Sequence, residues 1–218
     1  VNSRLSSYWV TERIADTTVG RRSIWRGYYR ALQSATDLFE AIETQAKRFS
    51  FANASLAYQA YTQSLFKIDQ HYRLFHESAD IVTGRYPNAI VSLADQVESA
   101  YLNSYLKKLA SHWDDHLSNG LLNNWTIDGV DNQQGFYRSV VEPYFSTSDD
   151  RRMFVIISDA LRYEVADELK SLINSQQSRV EATLTSQLGV LPSYTKLGMA
   201  SLLPHKALTY TEQGFVKA

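Results

Sequence analysis

The run Arg152-Met-Phe-Val-Ile-Ile-Ser-Asp-Ala-Leu-Arg-Tyr-Glu164 restricts the possible folds more than any other part of the chain. Five apolar residues, Met153 to Ile157, stand together. Asp159 follows the run, and a helical repeat begins at once with Leu161, Val165, Leu169 and Leu172. A short unbroken apolar run predicts a strand buried on both faces, as in a parallel sheet. Ligands of such sheets bind beyond the carboxyl ends of the strands, which is where Asp159 falls. A carboxylate there can hold a metal ion or a substrate hydroxyl.

The segment that follows completes a strand–helix–strand reading. Val180, Ala182, Leu184, Ser186 and Leu188 alternate with Glu181, Thr183, Thr185 and Gln187, the period of a strand with one polar face. Pro192 opens a helix expected to reach about Leu203, where Pro204 stops it. One such unit cannot cover a sheet on both faces, so residues 151–218 read as the truncated start of an α/β domain. The chain begins at Val1 and ends at Phe215-Val-Lys-Ala218, and reads as a piece of something longer.

Residues 1–119 read as a helical bundle domain. Ile24, Tyr28, Ala31, Ala35, Leu38, Ile42, Ala46 and Phe49 keep the three-and-four spacing of one helix face. Ala57, Tyr61, Leu65, Ile68, Tyr72 and Phe75 repeat it, as do Ile90, Ala94, Val97, Tyr101, Tyr105 and Leu109. Ser50 and Asn53 are the N-cap candidates of the second helix, and Gly84 to Asn88, with Pro87, separates it from the third. A shorter first helix is expected over 6–15. Many of the 14 tyrosines lie on or beside these stripes. That suits a bundle core and flank, or a partner surface. Residues 120–150 bring Gly120, Gly129, Gly135 and Pro143 among Asn and Asp, and read as a linker region with one short helix from Gln133 to Val141.

Composition removes some function classes. With no cysteine, the chain has no disulfides, no thiolate catalysis and no zinc fingers; this fits a cytoplasmic protein. A net charge of −1 argues against a purely electrostatic nucleic-acid binder. No apolar run reaches the roughly 18 residues of a membrane span.

Thr195, in Leu191-Pro-Ser-Tyr-Thr-Lys-Leu-Gly198, is expected within the first turn of the helix after the second strand. Helix N-termini suit phosphate. A hydroxyl placed there can attack phosphorus once a metal or base activates it. Asp159 at the neighbouring strand end could hold such a metal, with Thr195 attacking in line. Ser193 is the alternative nucleophile. Against this stands the plainer reading of Ser193 and Thr195 as helix caps and of Asp159 as a turn residue.

Val155-Ile-Ile-Ser-Asp-Ala-Leu-Arg-Tyr-Glu164 together with Leu191-Pro-Ser-Tyr-Thr-Lys-Leu-Gly-Met-Ala-Ser-Leu-Leu-Pro-His205 resembles the PglZ family of the alkaline-phosphatase superfamily. The helical lead-in resembles its type A members from BREX phage-exclusion systems. The resemblance implies a helical bundle followed by an alkaline-phosphatase-like α/β domain. It implies a metal-dependent phosphatase or phosphodiesterase with two metal ions, Zn or Mn, and other BREX proteins as partners. By position, Asp159 matches the first metal-binding aspartate and Thr195 the nucleophile, which also ligates metal. Arg162 and Glu164 belong to the same motif. Arg162 could fork onto a phosphate or pair with Glu164 or Asp167. The family's other ligands are aspartates and histidines further along; after Thr195 this chain offers only His205 and Glu212. Zinc wants four ligands, so the chain alone is expected to bind metal poorly and to hydrolyse little.

Two other functional classes remain open at this point: a non-catalytic scaffold whose helices dock other defence proteins, and a helical DNA-contacting module using Arg21, Arg22 and Arg26, with Arg30 nearby. His112-Trp-Asp-Asp-His116 sets two histidines one helical turn apart, but Trp113 occupies the place where the zinc metalloprotease pattern has Glu. His71 and His76 do not share a face.

Overall fold

A short helix α1 (Tyr8–Ala15) and a long helix α2 (Arg21–Gln45) open the computed structural model, which describes residues 3, 6–15, 21–45, 49–146, 152–176, 179–211 and 216–217, the side chains of 13–15, 21–23 and 217 excepted. The chain divides into two units, Val1–Asn119 and Gly120–Ala218.

In the first unit α2 buries Ala31, Ala35, Leu38 and Ile42, the three-and-four stripe expected of it; Ala46 of that stripe lies outside the described residues. Asn53, not Ser50, caps the next helix. Its backbone is extended, and its Oδ1 accepts the Leu56 N–H at 2.9 Å. Helix α3 then runs over 54–83, with a π turn at Tyr61–Leu65. Helix α4 covers 91–121, with π turns at Ala100–Leu106 and Leu117–Leu121. Gly27 of α2 lies against α3, where an added Cβ would stand 3.2 Å from both the Ser78 carbonyl and the Ile81 side chain. A bare backbone is what admits that approach.

The core joins Leu38 and Ile42 of α2, Leu65, Ile68 and Phe75 of α3, and Val97, Tyr101 and Tyr105 of α4. Inside it sits a carboxylate, Asp69, only 4% exposed. Tyr61 and Tyr101 each donate a hydroxyl to it at 2.8 Å. The Tyr105 hydroxyl lies 3.3 Å from the same carboxylate and 3.2 Å from the Leu65 carbonyl. The π turns of α3 and α4 carry these three tyrosines. Each such turn admits an extra residue and rotates the side chains that follow. Burial, followed by the charge of Asp69, pushes the Tyr105 phenol above its ordinary range.

His71 on α3 has its pKa lowered from 6.5, first by burial; Asp37 opposes the shift and Lys67 adds to it. The folded state therefore takes up this proton less readily than the unfolded chain. Stability present above pH 6.5 should be lost as pH falls through the lowered folded value. Denaturation midpoints at pH 7.5 and below 6 should differ in that sense, and His71→Gln should flatten the difference. An unchanged slope in that variant would assign the effect to other groups.

The second unit corrects the expected α/β layer. Residues 152–158 and 180–187 adopt no regular secondary structure, and among the described residues no ladder joins them. Phe154 is 87% and Ile156 91% exposed. A strand has no hydrogen bonds of its own, and two parallel strands alone bury neither face. The named strands are a short antiparallel pair, β1 (Thr209–Tyr210) and β2 (Val216–Lys217). Short helices and irregular segments make up the rest of the described residues of this unit. A 3₁₀ turn at Gln133–Gly135 leads into α5 (residues 137–145, of which Tyr137–Val141 is a π turn), followed by α6 (Tyr163–Gln176) and α7 (Thr195–Ser201). Asn174 ties α6 to segment 180–187, donating to the Ala182 carbonyl at 2.9 Å and accepting the Ala182 N–H at 2.8 Å. No described helix is long and apolar enough to cross a membrane.

Candidate active site

The run 152–158 ends in a turn at Asp159 and Ala160, ahead of α6. Ala160 has φ +55°, a left-handed conformation that costs a non-glycine residue about 1 kcal/mol. It reverses the chain immediately after Asp159, leaving that carboxylate exposed at the turn.

The segment that begins at residue 180 reaches Leu188, which forms an isolated parallel bridge with Asn132. A loop of residues 189–194 then leads to α7, which covers seven residues rather than the longer span expected from Pro192 to Leu203. Tyr194 takes the N-cap position with an extended backbone and no side-chain cap bond. Thr195 is thus the first helical residue, and its hydroxyl does not cap the helix. It donates to Asp159 Oδ2 at 3.1 Å, across 36 positions of sequence.

Both groups open onto a cleft of about 850 Å³, which Ser193, Tyr194, Lys196 and Gln133 also line. Ser193 shares this cleft with Thr195. Arg162 is not among its lining residues. Its Nε lies 3.5 Å from Glu164 Oε1, and Glu164 is fully buried; Asp167 pairs instead with Lys170, at 2.6 Å. Of the two pairings open to Arg162, the structure shows the one with Glu164.

The remaining candidates lie elsewhere. His205 sits 2.7 Å by Nδ1 from the Leu203 carbonyl and lines a separate depression with Arg138 and Glu142. Glu212 is outside the described residues. In the first unit, His112 Nδ1 stands 3.9 Å from Asp115 Oδ2 on the exposed surface of α4. Among the described residues no group of three His, Asp or Glu side chains is gathered that could hold a metal ion. Two hard oxygen donors at 3.1 Å do suit one edge of a cation's coordination shell, so Asp159 and Thr195 fit as part of a metal site. On α2, Arg26 and Arg30 are exposed, while the side chains of Arg21 and Arg22 lie outside the described ones.

Sequence patterning did not disclose what holds the Thr195 loop. Trp125 Nε1 donates to the Gly189 carbonyl at 2.6 Å. Leu188 bonds by its N–H to the Asp131 carbonyl at 2.8 Å and by its carbonyl to the Gln133 N–H at 2.9 Å. The Gln133 carboxamide reaches both Val190 and Gly198.

The family model for the BREX system PglZ alkaline phosphatase-like domain matches residues 136–217. The alkaline phosphatase-like protein BrxZ of Escherichia coli O9:H4 (strain HS) is 44% identical over 84% of this chain and 21% of its own length. The alkaline phosphatase-like protein PglZ of Bacillus cereus (strain H3081.97) is 38% identical over 89% of this chain and 22% of its own. The chain therefore spans about a fifth of the length of these curated relatives. No solved structure matches it. The likeness takes in both the helical unit and the unit that brings Asp159 to Thr195, and the chain belongs to the PglZ family.

Proposed function

We propose that this chain contributes the nucleophile, Thr195, and two metal ligands, Asp159 and Thr195 itself, to a metal-dependent phosphoric ester hydrolase of a BREX phage-exclusion system. The observation that carries the reading is the 3.1 Å bond from Thr195 Oγ1 to Asp159 Oδ2 at the edge of an open cleft. A threonine hydroxyl alone is a weak nucleophile. A divalent cation, Zn or Mn, supplies Lewis acidity that lowers the hydroxyl pKa and offsets phosphate charge. Asp159 and Thr195 would hold it, and the full pair of ions would need ligands from outside the described residues. Asp159 aims the Thr195 hydroxyl and accepts its hydrogen bond while the oxygen faces the cleft. Lys196, the next residue, adds positive charge for an anionic substrate.

The test is hydrolysis of bis-p-nitrophenyl phosphate by the intact protein, loaded with Zn²⁺ or Mn²⁺ and then stripped by a chelator. Turnover that chelation abolishes and metal restores supports the reading. Absence of turnover under every metal, or turnover indifferent to chelation, overturns it. Residues 1–218 alone should bind metal weakly and turn over little, since two ligands fall short of zinc's four.

A second reading, a helical unit that docks other BREX proteins, draws on one observation. Phe51, Tyr58, Tyr61, Leu106, Leu109 and Trp113 line an apolar depression of about 310 Å³ on the first unit. Docking and hydrolysis are compatible in one protein. The DNA-contacting reading gains no such observation.

A further inference from the structure

We infer that Gln133 is a positioning residue for Thr195, acting through both ends of the segment that carries it. The inference rests on the reading of Thr195 as the reacting alcohol. Segment 190–198 starts at a buried residue, Val190, and ends at Gly198 inside α7. One carboxamide spans the two ends. Gln133 Oε1 accepts the Val190 N–H at 3.3 Å, and Gln133 Nε2 donates to the Gly198 carbonyl at 3.1 Å. Ser201, fully buried, donates its hydroxyl to the same carbonyl at 2.7 Å.

The carboxamide is a fixed planar group, so bonding both ends fixes their separation. Thr195 lies between them, three residues before Gly198. The anchor itself is held. The Gln133 N–H bonds to the Leu188 carbonyl at 2.9 Å, and Asn132 Oδ1 accepts the Gln134 N–H at 3.2 Å, starting the 3₁₀ turn. Gln133 lines the cleft, and its bonds to Val190 and Gly198 give it the function of holding the loop.

The experiment compares the intact, metal-loaded protein with Gln133→Ala and Gln133→Glu. It reads kcat and KM for bis-p-nitrophenyl phosphate against pH, and amide hydrogen exchange by peptide. A misplacement of the order of 1 Å costs roughly 10²-fold in rate. Gln133→Ala should therefore lower kcat about 10- to 100-fold and change KM less than about 3-fold. Exchange should rise across 190–198 and stay as in wild type in the first unit. Ionised, the Gln133→Glu side chain can accept from Val190 but cannot donate to Gly198; protonated, it regains a donor. Its kcat relative to wild type should rise toward acid pH, while the ratio for Gln133→Ala stays flat. Exchange in 190–198 unchanged by Gln133→Ala, a kcat within about 3-fold of wild type, or a flat Gln133→Glu ratio would overturn the inference. If wild type does not hydrolyse the ester at all, the reading of Thr195 fails, while exchange alone still decides whether Gln133 holds the segment.

Discussion

Thr195→Ala should lower kcat for phosphodiester hydrolysis by the intact protein at least about 10³-fold, the scale on which a nucleophile's loss is felt. The Thr195 hydroxyl is turned to the Asp159 carboxylate rather than to the backbone of its own helix. Its removal should therefore cost chemistry and not a helix cap, and the melting temperature should move little. Thr195→Ser keeps the oxygen and should retain activity within roughly tenfold of wild type. Ser193→Ala tests the alternative nucleophile of the cleft and should cost less than about tenfold, because the Asp159 bond belongs to Thr195. Asp159→Ala should reduce both bound metal, read by elemental analysis, and kcat, and Asp159→Asn should do so as well, because it keeps the shape and loses the charge. Hydrolysis undiminished in both Thr195→Ala and Asp159→Ala would remove the catalytic assignment.

The largest expected effect on stability lies in the first unit. Asp69→Leu takes the acceptor from the Tyr61 and Tyr101 hydroxyls and one of two acceptors from Tyr105. A buried hydroxyl deprived of its partner costs about 1–3 kcal/mol, so Asp69→Leu should lower unfolding free energy by roughly 3 kcal/mol or more. Tyr101→Phe removes one hydrogen bond and should cost about 1 kcal/mol. Urea denaturation followed by circular dichroism measures both. The sign of the alkaline dependence follows from the raised Tyr105 pKa: the unfolded phenol ionises near 10 and the folded one resists, so stability is intact below pH 10 and declines above it. Tyr105→Phe should weaken that decline. A destabilisation of Asp69→Leu under about 1 kcal/mol would mean the cluster is not a structural anchor.

Much of this architecture could be read from residue spacing, because helices carry their hydrogen bonds internally. The stripes Ala31, Ala35, Leu38, Ile42 and Leu65, Ile68, Phe75 are buried as the helical period requires. The Asn53 cap was legible for the same local reason. The π turns were not, since no residue type marks them, and neither was Asp69, whose partners come from two other turns of helix. The strands failed for a physical reason. Phe154 and Ile156 have the apolar character of a doubly covered strand, but a strand becomes a sheet only beside other strands, and here the run joins no ladder and is exposed. At the candidate site, Asp159 could be named because it follows the apolar run 153–157, and Thr195 because it lies in the first turn of the helix expected after Pro192. Gln133 could not, because its reach to Val190 and Gly198 is a matter of tertiary distance.

The shared placement of Asp159 and Thr195 is tested most directly by acid-quenching the intact, metal-loaded protein during turnover of a labelled phosphoester and mapping the peptide that holds residues 190–198. Phosphate esterified to Thr195, and absent from the Asp159→Ala protein, is the expected result. Phosphate on Ser193, or on neither residue while product accumulates in the same sample, would contradict it.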